Sequence, residues 1–92
     1  MSTVPMNQFG STLTDRADGK KAFQEISDKY SLPVTLDFQG VVSLGSSFGE
    51  EVILKIAPLQ DLKITIANTN SVMKNSVRRI VEETEIEVTF DD

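Results

Sequence analysis

Apolar and polar positions in this chain follow two periods, and the periods take turns. Residues 3–9 place Val4, Met6 and Phe9 as apolar points in a weak strand pattern, which Pro5 restricts to an edge strand or a strand start. Residues 10–15 read as a turn with Leu13 tucked in. Ala22, Phe23, Ile26 and Tyr30 then recur at helical spacing and predict a helix over about 17–30. Asp15 or Asp18 stands where a cap belongs, and Glu25 and Lys29 make an i, i+4 pair on the outer face. Pro33 stops this helix and opens a strand in which Val34, Leu36 and Phe38 alternate with Thr35 and Asp37.

The period changes again after Gly45. Phe48, Val52, Ile53, Ile56 and Leu59 supply the buried side of a second helix, which Pro58 ends. Ser46 or Ser47 is its expected N-cap, with Glu50 as the capping-box partner and Glu51 beside it near the positive end of the dipole. Residues 62–67 alternate, with Leu62, Ile64 and Ile66 against Lys63 and Thr65. Asn68, Thr69 and Asn70 form a polar turn whose last member caps a third helix over about 71–83. Its apolar side carries Val72, Met73, Val77, Ile80 and Val81. Residues 85–90 alternate strictly, Ile86, Val88 and Phe90 inward and Glu85, Glu87 and Thr89 outward, as in a short charged edge strand.

The order β–α–β–α–β–α–β predicts an α/β fold: a small mixed, mostly parallel four-stranded sheet with about three helices mainly on one face. Ninety-two residues make one domain, 1–92, in which residues 1–10 are either an edge strand or a loose N-terminus.

Composition narrows the function. The chain has no Cys, which excludes disulfides and thiolate chemistry, and no His, which removes the commonest general base and metal ligand. No enzyme activity, no cofactor and no metal are expected. Net charge is −5 at pH 7, and the acid is concentrated: Glu82, Glu83, Glu85, Glu87, Asp91 and Asp92 lie in the last eleven residues without one base. Direct binding to nucleic acid is therefore not expected. The small basic groups Lys20–Lys21 and Lys74, Arg78 and Arg79 read as solvated helix faces. No apolar run approaches the ~20 residues of a membrane span, and residues 1–10 lack the features of a signal peptide, so a cytoplasmic protein without membrane contact is expected.

Val34 to Ile56 carries a family likeness. Leu36-Asp37-Phe38-Gln39-Gly40-Val41, followed by Gly45-Ser46-Ser47-Phe48-Gly49-Glu50-Glu51, resembles the strand end, turn and helix start of STAS domains. The closer resemblance is to the STAS-like branch of uncharacterised function, and Leu13-x-x-Arg16 before the first helix fits that branch too. The resemblance implies a STAS-like fold and a regulatory protein-binding module of the kind of the anti-sigma-factor antagonists, with a histidine-kinase-like ATPase or serine kinase as partner. It implies Ser46 as phosphate acceptor, Ser47 as the alternative, and residues 45–50 (Gly45, Ser46, Ser47, Phe48, Gly49, Glu50) as the partner-binding turn. One position departs: the Asp that normally precedes the acceptor Ser is Gly45.

Other readings stand beside this one. The serines serve equally as helix caps, and Phe48 as a core anchor. Asp37, Glu50 and Glu51 form a possible carboxylate cluster, or Asp37 pairs with Arg16 to tie the N-terminal loop to the sheet. A second function of another class is a small acidic inhibitor or decoy, for example phage-encoded. It would act through Glu85, Glu87, Asp91 and Asp92 on a basic nucleic-acid-binding target.

Overall fold

Parallel strands need crossovers, and the computed structural model, which describes residues 2–91, supplies them. In chain order the elements are β1 (Ser2–Pro5), β2 (Thr12–Leu13), α1 (Arg16–Lys29), β3 (Val34–Asp37), β4 (Ser43–Leu44), α2 (Ser46–Ile56), β5 (Lys63–Ala67), α3 (Ser71–Val81) and β6 (Glu87–Asp91). Short 3-10 turns follow β1 (Met6–Phe9) and α2 (Ala57–Gln60). The main sheet has the order β1-β3-β5-β6, and every pair in it is parallel. The N-terminal residues thus form an edge strand.

That order never reverses. With right-handed crossovers, a strand order that advances in one direction leaves every connecting helix on the same face. The register shows the result. Val4, Leu36, Ile66 and Phe90 share one row across the sheet, beneath the helices. The first three are fully buried and Phe90 is partly so. Thr3, Thr35, Thr65 and Thr89 form the neighbouring row on the open face. Alternation in the sequence is therefore alternation between a core face and a wet face.

A second, two-stranded sheet pairs β2 with β4, also parallel. It is two residues long on each side, too short for periodicity to register. It lies immediately before α1 and α2 in the chain, so it fixes where both helices begin. Val42 and Ser43 both donate backbone N–H groups to the Ser11 carbonyl, at 2.7 and 3.3 Å, and Gly45 donates to Leu13 at 2.8 Å.

Two glycines set the helix packing. A Cβ at Gly19 of α1 would stand 3.0 Å from the Phe48 carbonyl oxygen and 2.9 Å from Glu51 Cβ on α2. A Cβ at Gly49 of α2 would stand 2.3 Å from Ile80 Cδ1 on α3. The helices approach closely because nothing projects at these two positions.

The helix ends follow the cap rules at two of three starts. Asp15 accepts a hydrogen bond from the Asp18 N–H at 3.2 Å, and Asn70 accepts from the Met73 N–H at 2.8 Å. Three apolar positions expected inside are outside. Leu59 is 55% exposed because the 3-10 turn turns it off the helix stripe. Leu62 is 37% exposed, since it and Asp61 adopt left-handed conformations with φ of 58° and 59° before the strand begins. Val72 is 72% exposed, in the first turn of α3.

Candidate functional site

The start of α2 is where the sequence places its chemistry, and local packing decides how that chemistry is displayed. Gly45 is the N-cap, in extended conformation, and no side chain caps the helix. This corrects the expected Ser46 or Ser47 cap and its Glu50 capping box. The physical reason is the small sheet: β4 brings Gly45 against Thr14, where a Cβ would meet Thr14 Cα, Cβ and Cγ2 at 3.1 Å each. This close approach favours a residue without a side chain where the chain turns into the helix. The same contact favours Gly45 where the related pattern has Asp, since a Cβ there would press on Thr14.

The serines are left free of structural duty. Ser46 is exposed and Ser47 is half-buried, at the first two helical positions. Among the described residues neither hydroxyl makes a hydrogen bond within the protein. Phe48 is fully buried and Gly49 is buried against Ile80, so neither reaches a partner. This corrects the expectation for Phe48 and Gly49 as partner-contacting residues, and leaves Gly45, Ser46, Ser47 and Glu50 of that turn at least partly accessible. Phe48 is the anchor that fixes the turn from below.

One helical turn further on, an ion-pair network joins α2 to α1. Arg16 Nη2 donates to Glu50 Oε1 at 2.9 Å, and Arg16 Nη1 donates to Glu51 Oε2 at 2.7 Å. Lys55 Nζ holds the other oxygen of Glu51. Glu51 is the one buried charged residue among those described. Its hydrogen bonds to Lys55 first and Arg16 second hold its carboxyl below the ordinary glutamate range. The bonds to Glu50 and Glu51 raise the Arg16 guanidinium above its ordinary value. Sequence reading singled out Arg16, Glu50 and Glu51 without joining them. The Glu51–Lys55 pair, at i, i+4, carried a signal that went unread.

Asp37 takes no part in this network. Its carboxylate accepts from the Gln39 N–H at 3.0 Å and from Asn68 Nδ2 at 2.8 Å, stitching together the loops after β3 and β5. The proposed Arg16–Asp37 pair and the Asp37–Glu50–Glu51 cluster are both corrected, because Arg16 extends along α2 and not toward the sheet. No group of three or more carboxylates among the described residues is arranged to hold a metal. At this end of the sheet two apolar side chains stand in solvent, Val42 and Val72, each 72% exposed.

The C-terminal acids are dispersed. Glu87 and Asp91 lie on the open face of β6, in register with Lys63 and Ala67, and Glu85 lies in the short connection before it. Asp92 falls outside the described residues. The Phe90 ring lies beneath Lys74 and Arg78, 5.7 and 5.3 Å from its centroid, so the acidic strand borders the basic face of α3.

Ligand crevices in open α/β sheets form where the strand order reverses, and this order has no reversal. The molecule is a one-sided α/β domain without a topological switch point. A family model described as a STAS-like domain of unknown function (DUF4325) matches residues 18–74, and the chain belongs to that family. No curated protein and no solved structure gives a significant match. Among the described residues no helix is long and apolar enough to cross a membrane.

Proposed function

We propose that this domain is a non-enzymatic regulatory module that binds a protein partner through the start of α2, and that a phosphate on Ser46 switches the binding. The observation that carries this reading is the Ser46 hydroxyl: exposed, at the first position of the helix, and released from capping by Gly45. A phosphoserine there adds about −1.5 to −2 charges at pH 7 beside the free N–H groups of the helix start. The fold gives up no internal bond to accept it. Val42 and Val72 supply apolar contact at the same end of the sheet, and Glu50 and Arg16 supply polar rim. The family likeness to anti-sigma-factor antagonists supports a histidine-kinase-like ATPase or serine kinase as the partner.

The test is a pull-down from the native host with three baits, each shown to be folded by circular dichroism. The baits are wild type, Ser46→Glu, and a triple reversal of Glu85, Glu87 and Asp91 to Lys. The reading expects an ATPase or kinase, identified by mass spectrometry, on wild type and on the triple reversal, and its loss on Ser46→Glu. A partner that ignores Ser46→Glu and is lost with the triple reversal overturns the reading. The acidic strand would then be the binding element, as in an inhibitor of a basic target.

A further inference from the structure

A groove lies at the opposite end of the sheet from Ser46. It has a volume of about 450 Å³ and is lined by Leu32, Thr35, Leu59, Asp61, Lys63 and Thr65, among others. It exists because β3 and β5 separate at their starts. The Gln60 amide accepts from the Val34 N–H at 2.9 Å and donates to the carbonyls of Val34 and Lys63 at 3.3 and 2.8 Å. A side chain thus holds the two strand starts apart, and strand pairing begins only at Thr35 and Thr65.

Three features gather around this groove. Of the five large apolar residues exposed among those described, two line the groove, Leu59 and Leu32, and a third, Leu62, lies in the chain between its lining residues Asp61 and Lys63. Projections and a recess therefore share one patch. Asp61 and Lys63 carry opposite charges two residues apart, and neither belongs to any ion pair among the described residues. The in-register neighbour of Lys63 on β6 is Glu87, which makes no contact-distance pair with it. Finally, Asp61 and Leu62 are held in consecutive left-handed conformations, where residues other than glycine are uncommon. The Leu62 N–H bonded to the Ala57 carbonyl at 2.8 Å, and the Glu87 N–H bonded to the Leu62 carbonyl at 2.8 Å, fix that presentation.

We propose that this patch is a self-complementary interface through which two copies of the chain pair about a two-fold axis near Leu62. A two-fold interface uses the same patch on both partners, so the patch must carry each feature together with its complement. This one carries exposed leucines beside a recess, and an unpaired acid beside an unpaired base. About an axis at Leu62, Asp61 of each copy faces Lys63 of the other, which makes two ion pairs from residues that have none in the single chain. An unrelated partner would not require both signs and both shapes in one place. The patch is small, so the dimer is weak, in the micromolar range or above.

The test is sedimentation equilibrium of the full chain from about 1 µM to 1 mM. Wild type is expected to pass from monomer to dimer across that range. Leu59→Glu is expected to weaken the dimer at least about tenfold. Asp61→Lys and Lys63→Asp are each expected to do the same alone, to form a dimer when mixed, and to recover self-association when combined in one chain. Far-UV circular dichroism reports whether each variant is folded, and the mixture needs no variant beyond the two singles. A wild type that stays monomeric throughout overturns the proposal. So does a dimer indifferent to Leu59→Glu, or charge variants that neither mix nor recover.

Discussion

Replacing Gly19 with alanine sets two effects of opposite sign against each other. In an exposed helix interior the change stabilises by about 1 kcal/mol, because alanine restricts the unfolded chain and glycine does not. At Gly19 the new Cβ would stand 2.9 Å from Glu51 Cβ, 3.0 Å from the Phe48 carbonyl oxygen and 3.1 Å from Phe48 Cα. Two of these three atoms are backbone, and Phe48 is fully buried, so no side chain can swing aside. Ordinary carbon contact requires α1 and α2 to part by roughly 0.5 Å. Overpacking of this kind costs about 1–3 kcal/mol, and rigid neighbours place it in the upper half of that range. The net expectation is a loss of about 1–2 kcal/mol. For a domain of this size the melting temperature falls by roughly 5–10 °C. Urea unfolding followed by far-UV circular dichroism reads the difference at unchanged m-value. Ser27→Ala, exposed on the same helix, is the control and gains about 0.5 kcal/mol. Gly19→Ala at or above wild-type stability would show slack between the helices and refute the close-approach argument.

Two further outcomes are expected. The Glu51 carboxyl is held below its unfolded value of 4.5, so its contribution is complete above that pH and is lost as pH falls through the lowered folded value. The stability gap between wild type and Glu51→Gln should therefore narrow as the medium is acidified below pH 4.5, and a constant gap in urea titrations would contradict the network. Asn70→Ala should cost about 1 kcal/mol by losing the bond to the Met73 N–H, while Asn70→Asp keeps an acceptor and most of the stability. Equal losses in the two variants would show that the cap is not the cause.

Local rules read the sequence well wherever the answer was local. Asp15 and Asn70 cap as their position before an apolar stripe requires, Pro33 separates helix from strand, and the alternation of Val34 and Leu36 with Thr35 and Asp37 separates core face from open face. The residues that defied reading depend on neighbours distant in the chain. Gly45 is the cap because Thr14 crowds it, thirty-one positions away in sequence. Arg16 reaches Glu50 and Glu51 because β2 and β4 pair, and a two-residue ladder leaves no period to detect. Leu59, Leu62 and Val72 fit the apolar pattern by number alone. Each sits where a helix or strand is starting or ending, and there the period no longer tells inside from outside.

The one-way strand order also bears on how the chain is assembled. Each new strand of the main sheet lays down beside the one made before it: β3 on β1, β5 on β3, β6 on β5. No strand has to be inserted between two that are already paired. A chain emerging from its N-terminus can grow its sheet by accretion, each arrival covering the last open edge. The final addition is then the least secured, for β6 has one neighbour, and its inward residues Val88 and Phe90 are only partly buried. Amide exchange in the native protein should be fastest there among the strands of this sheet and slowest in β3 and β5, a gradient of protection that runs against the order of synthesis at one edge.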